Sequence, residues 1–177
     1  MINKINGRLA FNVIGFYICW WITIFSVSRN IFYLGPISVV LFLFIHFYKV
    51  LNHKQEDIFL IICLFLGLII ESILLNFNIV LHKGFLSQYN IAPVWAVSLW
   101  VCFGATIYHS FNWMSKQYFV SAVLGALSAP VVYFSFKSLG IIEFGMSDLA
   151  VGLLVSFVWC VFIPLFIFIA DRRLGLW

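Results

Sequence analysis

Apolar residues come in six long runs broken by short polar stretches, and that rhythm governs the reading of the whole chain. The runs cover about 9–27, 31–48, 58–76, 91–113, 118–136 and 149–170. At ~1.5 Å per residue each is long enough, or nearly so, to cross ~30 Å of hydrocarbon as a helix. The pattern predicts an all-α bundle of six transmembrane helices in a single domain over residues 1–177. Ser28-Arg29-Asn30 reads as a turn, MSKQ before Tyr118 as another, and KVLNHKQED from Lys49 to Asp57 is the one strongly polar connection. The segment 77–90 is ambiguous and is expected at the membrane surface, and 137–148 reads as a loop with Gly140 and Gly145. Pro36 falls in the first turns of its run, where the missing N–H has no partner to lose. Pro130 sits mid-run among Gly125, Ala126 and Ala129, which predicts a kinked helix that neighbours approach closely.

The fourth run is the most informative. It carries no charge from Ile91 to Trp113, yet Trp95, Ser98, Cys102, Thr106, His109 and Trp113 recur at helical spacing. Val97, Val101, Phe103 and Tyr108 fall on the other side, as lipid or a neighbouring helix prefers. A polar, aromatic stripe on a membrane helix faces protein or a cavity. The expected core is therefore spans one, three, four and five, with this stripe turned inward. In the first span, Asn12, Gly15, Cys19 and Ser26 line a narrow side that admits a close neighbour.

Composition sharpens the class. The chain is 64% apolar and 9% charged, where a soluble domain carries ~25% charged residues, so it reads as a polytopic membrane protein. Its basic residues lie between the runs and mark topology. Lys4, Arg8, Lys49, Lys54, Lys116, Arg172 and Arg173 fall on one side, against Arg29, Lys83 and Lys137 on the other. The positive-inside rule then places both termini in the cytoplasm. No soluble basic face exists for nucleic acid. Cys19, Cys63, Cys102 and Cys160 fall in separate runs without CxxC spacing, so they read as small buried hydrophobes.

Glu71 is the acid expected inside a span, where an unpaired charge costs several kcal/mol. It must be neutral, paired or facing a cavity, either as a functional group or as a clip between helices. If it is only a clip, Glu71→Leu folds at least as well as wild type. Depth counting puts it roughly 20 Å across, level with Tyr133, Trp95 and Ser98, which could share a pocket in the outer half. His109 falls roughly 27 Å into its span, near the cytoplasmic face with Asn12 and His46, which argues against a Glu71–His109 dyad. His46, His53 and His82 read as interfacial or loop-bound. The four His are too scattered for a di-iron cluster, and no HExxH, GxSxG or Walker-type run occurs. Neither a metal nor another cofactor is implied.

APVW, LW, FGAT, HS and W between Ala92 and Trp113, then GALSAPVVY and LG from Gly125 to Gly140, carry a family resemblance. With Asn12, Gly15 and Glu71-Ser72, the chain resembles the bacterial membrane family known as domain of unknown function 2878. The resemblance implies a small inner-membrane protein with no assigned activity, whose context suggests membrane-lipid or fatty-acyl modification or envelope stress. Its partners are then the bilayer, a lipid or fatty-acyl ligand, and lipid-modifying enzymes. The leading expectation is an accessory protein that binds a lipid-like or small apolar ligand between helices. A proton-coupled transporter using Glu71 and an intramembrane enzyme are the alternatives. The pocket candidates are Asn12, Glu71, Trp95, Ser98, Thr106, His109 and Tyr133.

Overall fold

The computed structural model describes residues 2–49 and 56–173, with side chains over 7–49 and 56–172. Within them the apolar runs form helices α1 (Ile2–Ser28), α2 (Leu34–Lys49), α3 (Glu56–Asn76), α4 (Val94–Ile107), α5 (Tyr118–Ser138) and α6 (Asp148–Arg173). Four of them, α1, α3, α5 and α6, are long and apolar enough to cross a membrane. Large apolar side chains such as Ile18, Phe65, Leu127, Val131, Leu153 and Phe157 are left exposed on their outer faces. Uncovered hydrocarbon on that scale is the mark of a surface that meets lipid.

The fourth run departs from expectation. α4 has 14 residues, about 21 Å of helix, rather than the full stretch to Trp113. The chain leaves it through turns and a short 3-10 stretch, Asn112–Met114, which ends the helical stripe before His109 and leaves Trp113 exposed. What remains is buried nearly all round, Val97 and Val101 as well as Trp95 and Cys102. A helix apolar on every side belongs in the middle of a bundle, and α4 packs against α3, α2, α1 and α6. The core therefore includes α2 and α6 beside the spans expected. α5 pairs chiefly with α6.

Segments 77–90 and 137–148 are more ordered than a surface loop. Strand β1 (Val80–His82) pairs antiparallel with β2 (Ile142–Phe144), His82 opposite Ile142 and Val80 opposite Phe144. Both strands are launched in the same way. At the end of α3, Asn78 turns left-handed while Ile79 N–H donates to Leu74 O at 2.8 Å. At the end of α5, Gly140 does the same, and Ile141 N–H donates to Phe136 O at 3.0 Å. This helix stop satisfies the last carbonyls and turns the chain across the bundle end. Gly145 closes the ribbon, since a Cβ there meets Asn78 O at 2.0 Å. Val80, Ile141 and Ile142 are fully buried beneath it with Trp95, Leu74 and Val155.

The narrow side of α1 packs as its residues suggest. A Cβ on Gly15 meets the Phe42 ring at 2.5 Å, Cys19 Sγ donates to Ser38 O, and Asn12 is fully buried. α5 runs through Pro130 as one helix. Where α5 meets α6, a Cβ on Gly125 lies 2.3 Å from the Trp159 carbonyl oxygen, while one on Gly152 makes ordinary contact with Phe134 at 3.4 Å. Gly125→Ala should therefore cost about 1–3 kcal/mol and Gly152→Ala little, which thermal unfolding in detergent will separate.

Candidate functional site

Glu71, near the end of α3, is 5% exposed and stands where four segments converge. Its Oε1 accepts from Trp100 Nε1 of α4 at 2.8 Å and from the Tyr133 hydroxyl of α5 at 2.9 Å. Its Oε2 lies 2.9 Å from His82 Nε2 of β1. Burial of a carboxylate is tolerated only when its lone pairs are filled and its charge is matched. Three partners from three elements do this here.

The same four side chains form one end of a cavity of about 450 Å³, within the size of small-molecule sites. Elsewhere the walls are apolar or aromatic: Phe16 and Trp20 from α1, Leu99 and Phe103 from α4, Val132 and Phe136 from α5, Trp159 and Ile163 from α6. Tyr17 and Leu124, both exposed, stand at the rim, so the cavity opens sideways between α1 and α5. α5 stays with α6, while α1 stays with α2 and α4, which leaves this cleft between them. Trp20 and Phe136 bridge it with ring centroids 5.8 Å apart.

A second polar cluster lies at the other end of α3. Glu56, fully buried, accepts from His46 Nε2 of α2 at 2.8 Å. His109 Nε2 lies 3.1 and 3.2 Å from its two oxygens. Asn12 of α1 completes the cluster: its Nδ2 donates to Ala105 O at 2.9 Å and faces His46 Nδ1 at 3.4 Å, while Ser110 donates to its Oδ1 at 2.5 Å.

The ligand atoms of His46, Glu56 and His109 lie within 4.8 Å of one another, close enough to share a divalent ion. The hydrogen bonds point elsewhere. Ser110 and Ala105 fix the Asn12 amide so that a donor faces His46 Nδ1, making that nitrogen the acceptor and placing the ring proton on Nε2. A metal-bound histidine has the opposite arrangement, with the far nitrogen donating outward. The set fits a hydrogen-bonded cluster better than a metal.

These positions sort the sequence candidates. Glu71, Tyr133 and Trp95 all line the cavity. Ser98 and Thr106 bond carbonyls of their own helix, Trp95 O and Phe103 O, and stand outside its walls. Asn12 and His109 belong to the Glu56 cluster, so His109 pairs with Glu56 and not with Glu71, whose histidine is His82. Two readings need correction. His46 and His82 are buried against carboxylates rather than free at an interface or in a loop, and Glu56, assigned to the polar connection, is a second buried acid at the start of α3. His53 and the remainder of that connection, 50–55, lie outside the described residues. Trp100, hidden among the other aromatics of an apolar run, gave no signal of its own.

The architecture defines a class: an all-helical bundle with membrane-length spans and an internal cavity closed at one end by polar groups. The chain belongs to the family described as protein of unknown function (DUF2878), whose model matches residues 9–165. Neither a curated protein nor a solved structure gives a significant match.

Removing the Glu71 carboxylate strands three buried partners, so its replacement by a hydrocarbon does not simply repack. Glu71→Leu should lower stability by several kcal/mol, at ~1–3 kcal/mol per stranded group, and Glu71→Gln by less. Thermal unfolding of the two purified variants checks the order, and a Leu variant as stable as wild type contradicts it.

Proposed function

We propose that this chain is a multi-pass inner-membrane protein that takes up a lipid-like molecule from the bilayer through the cleft between α1 and α5. One observation carries the reading: an aromatic-walled cavity of about 450 Å³ opens toward the lipid-facing side and ends on Glu71, Trp100, Tyr133 and His82. A wholly apolar ligand has no use for four polar groups, and a soluble polar one has no use for the walls. An amphipathic chain with a small head uses both.

All six helices cross the membrane in this reading, α2 and α4 as short central or tilted crossings completed by their loops. Both termini then face the cytoplasm, with the β1–β2 ribbon at the outer surface and the Glu56 cluster near the inner one. The protein would then be an accessory to membrane-lipid or fatty-acyl modification, a role that rests on family context alone.

Two measurements test this. Native mass spectrometry of protein purified in mild detergent should show a stoichiometric lipid-like adduct, reduced at least tenfold in Ser128→Phe, which places a ring at the cavity wall. Wild type free of any adduct above bulk lipid background contradicts the binding reading. Single cysteines in a background lacking the native ones test topology: one at Gly140 should react with an impermeant maleimide in intact cells, whereas one at Lys116 should not.

A further inference from the structure

The polar end of the cavity specifies more than polarity. Glu71 is filled on both oxygens by Trp100, Tyr133 and His82. His82 is 7% exposed, lines the cavity, and uses only Nε2; its Nδ1 is buried without a hydrogen-bond partner. Among the described residues the ion pair of Glu71 is with His82, and Lys83 next in sequence is exposed. A buried site with no other cation is held near zero net charge, because a lone ion in low dielectric is far costlier than a matched pair.

Two arrangements of this pair are neutral overall while Trp100 and Tyr133 both donate to Oε1. In one, Glu71 is a carboxylate and His82 an imidazolium with a proton on each nitrogen. In the other, Glu71 carries the proton and donates to Nε2, so the one ring proton of His82 is on Nδ1. Both put an N–H on Nδ1. Leaving Nδ1 bare requires either an uncompensated carboxylate or a Glu71 proton on Oε1, against the two donors already there. A buried donor without an acceptor costs ~1–3 kcal/mol, which a ligand oxygen would relieve.

We infer that the cavity selects a single-chain lipid with an uncharged, hydrogen-bond-accepting oxygen at its head, such as an ester carbonyl, held by His82 Nδ1–H. An anionic head brings an unmatched charge into a site already neutral, and an ammonium head presents donors to a donor. Any chain longer than the cavity leaves between Tyr17 and Leu124 into lipid. The inference rests on the cavity-binding reading above and adds the chemistry of the head.

The test holds the chain constant and varies the head, using full-length protein in mild detergent. Methyl oleate, oleate, oleylamine and cis-9-octadecene are titrated, with native mass spectrometry counting bound ligand. Methyl oleate should bind at least tenfold more tightly than octadecene and more tightly than oleate or oleylamine. In His82→Phe its advantage over octadecene should vanish while octadecene still binds. An ester that binds no better than octadecene in wild type, or less well than oleate or oleylamine, overturns the assignment of the head but leaves the cavity reading standing. Failure of every chain to bind overturns both. The wild-type ranking stands by itself if His82→Phe does not fold.

Discussion

Four segments of this protein are tied together at one carboxylate. Glu71 rises from α3, and a ring from α4, a hydroxyl from α5 and an imidazole from the β1–β2 ribbon all close on it. Inside hydrocarbon the apolar contacts between helices bring little net advantage, because lipid tails offer the same contacts. A hydrogen bond to a buried acid has no such substitute. The elements that could otherwise slide are fixed in register here, and the cavity is the space left beside this knot. The ribbon is part of the same arrangement, since the helix stops at Asn78 and Gly140 bring His82 over the end of α3.

At its other end α3 repeats the solution with different partners. Glu56 gathers α2 through His46 and the segment after α4 through His109, with Asn12 of α1 fixing the His46 ring. Each buried acid on α3 is thus matched by histidine, and each pair joins segments distant in sequence. The two differ in one respect that bears on function. Asn12 occupies the second nitrogen of His46, whereas the second nitrogen of His82 has no hydrogen-bond partner among the described residues.

Much of this was legible in the chain. Uninterrupted apolar runs could only be helices in lipid, and depth counting from their ends brought Glu71 level with Tyr133 and Trp95. The cost of an ionisable group in a span demanded a partner for Glu71 without saying which. Three features were not legible. α4 stops at Ile107 because the chain folds back to bring His109 and Ser110 to Glu56 and Asn12, a tertiary demand with no local signature. The ribbon is two three-residue strands far apart in sequence, too short for alternation to register. Glu56 sits among the polar residues of a connection, and nothing in its neighbours distinguishes a buried acid from a solvated one.

The contact between Trp20 and Phe136 has a consequence for how this molecule behaves outside its membrane. It bridges the seam between α1 and α5 with two rings. In a bilayer, parting them exchanges one hydrocarbon neighbour for another, so the seam is close to indifferent between shut and open. In water the same parting wets aromatic surface and is penalised, whereas the alkyl chains of a detergent cover it as lipid does. The surroundings of the seam thus set the cost of parting it, small where hydrocarbon meets the rings and larger where water does.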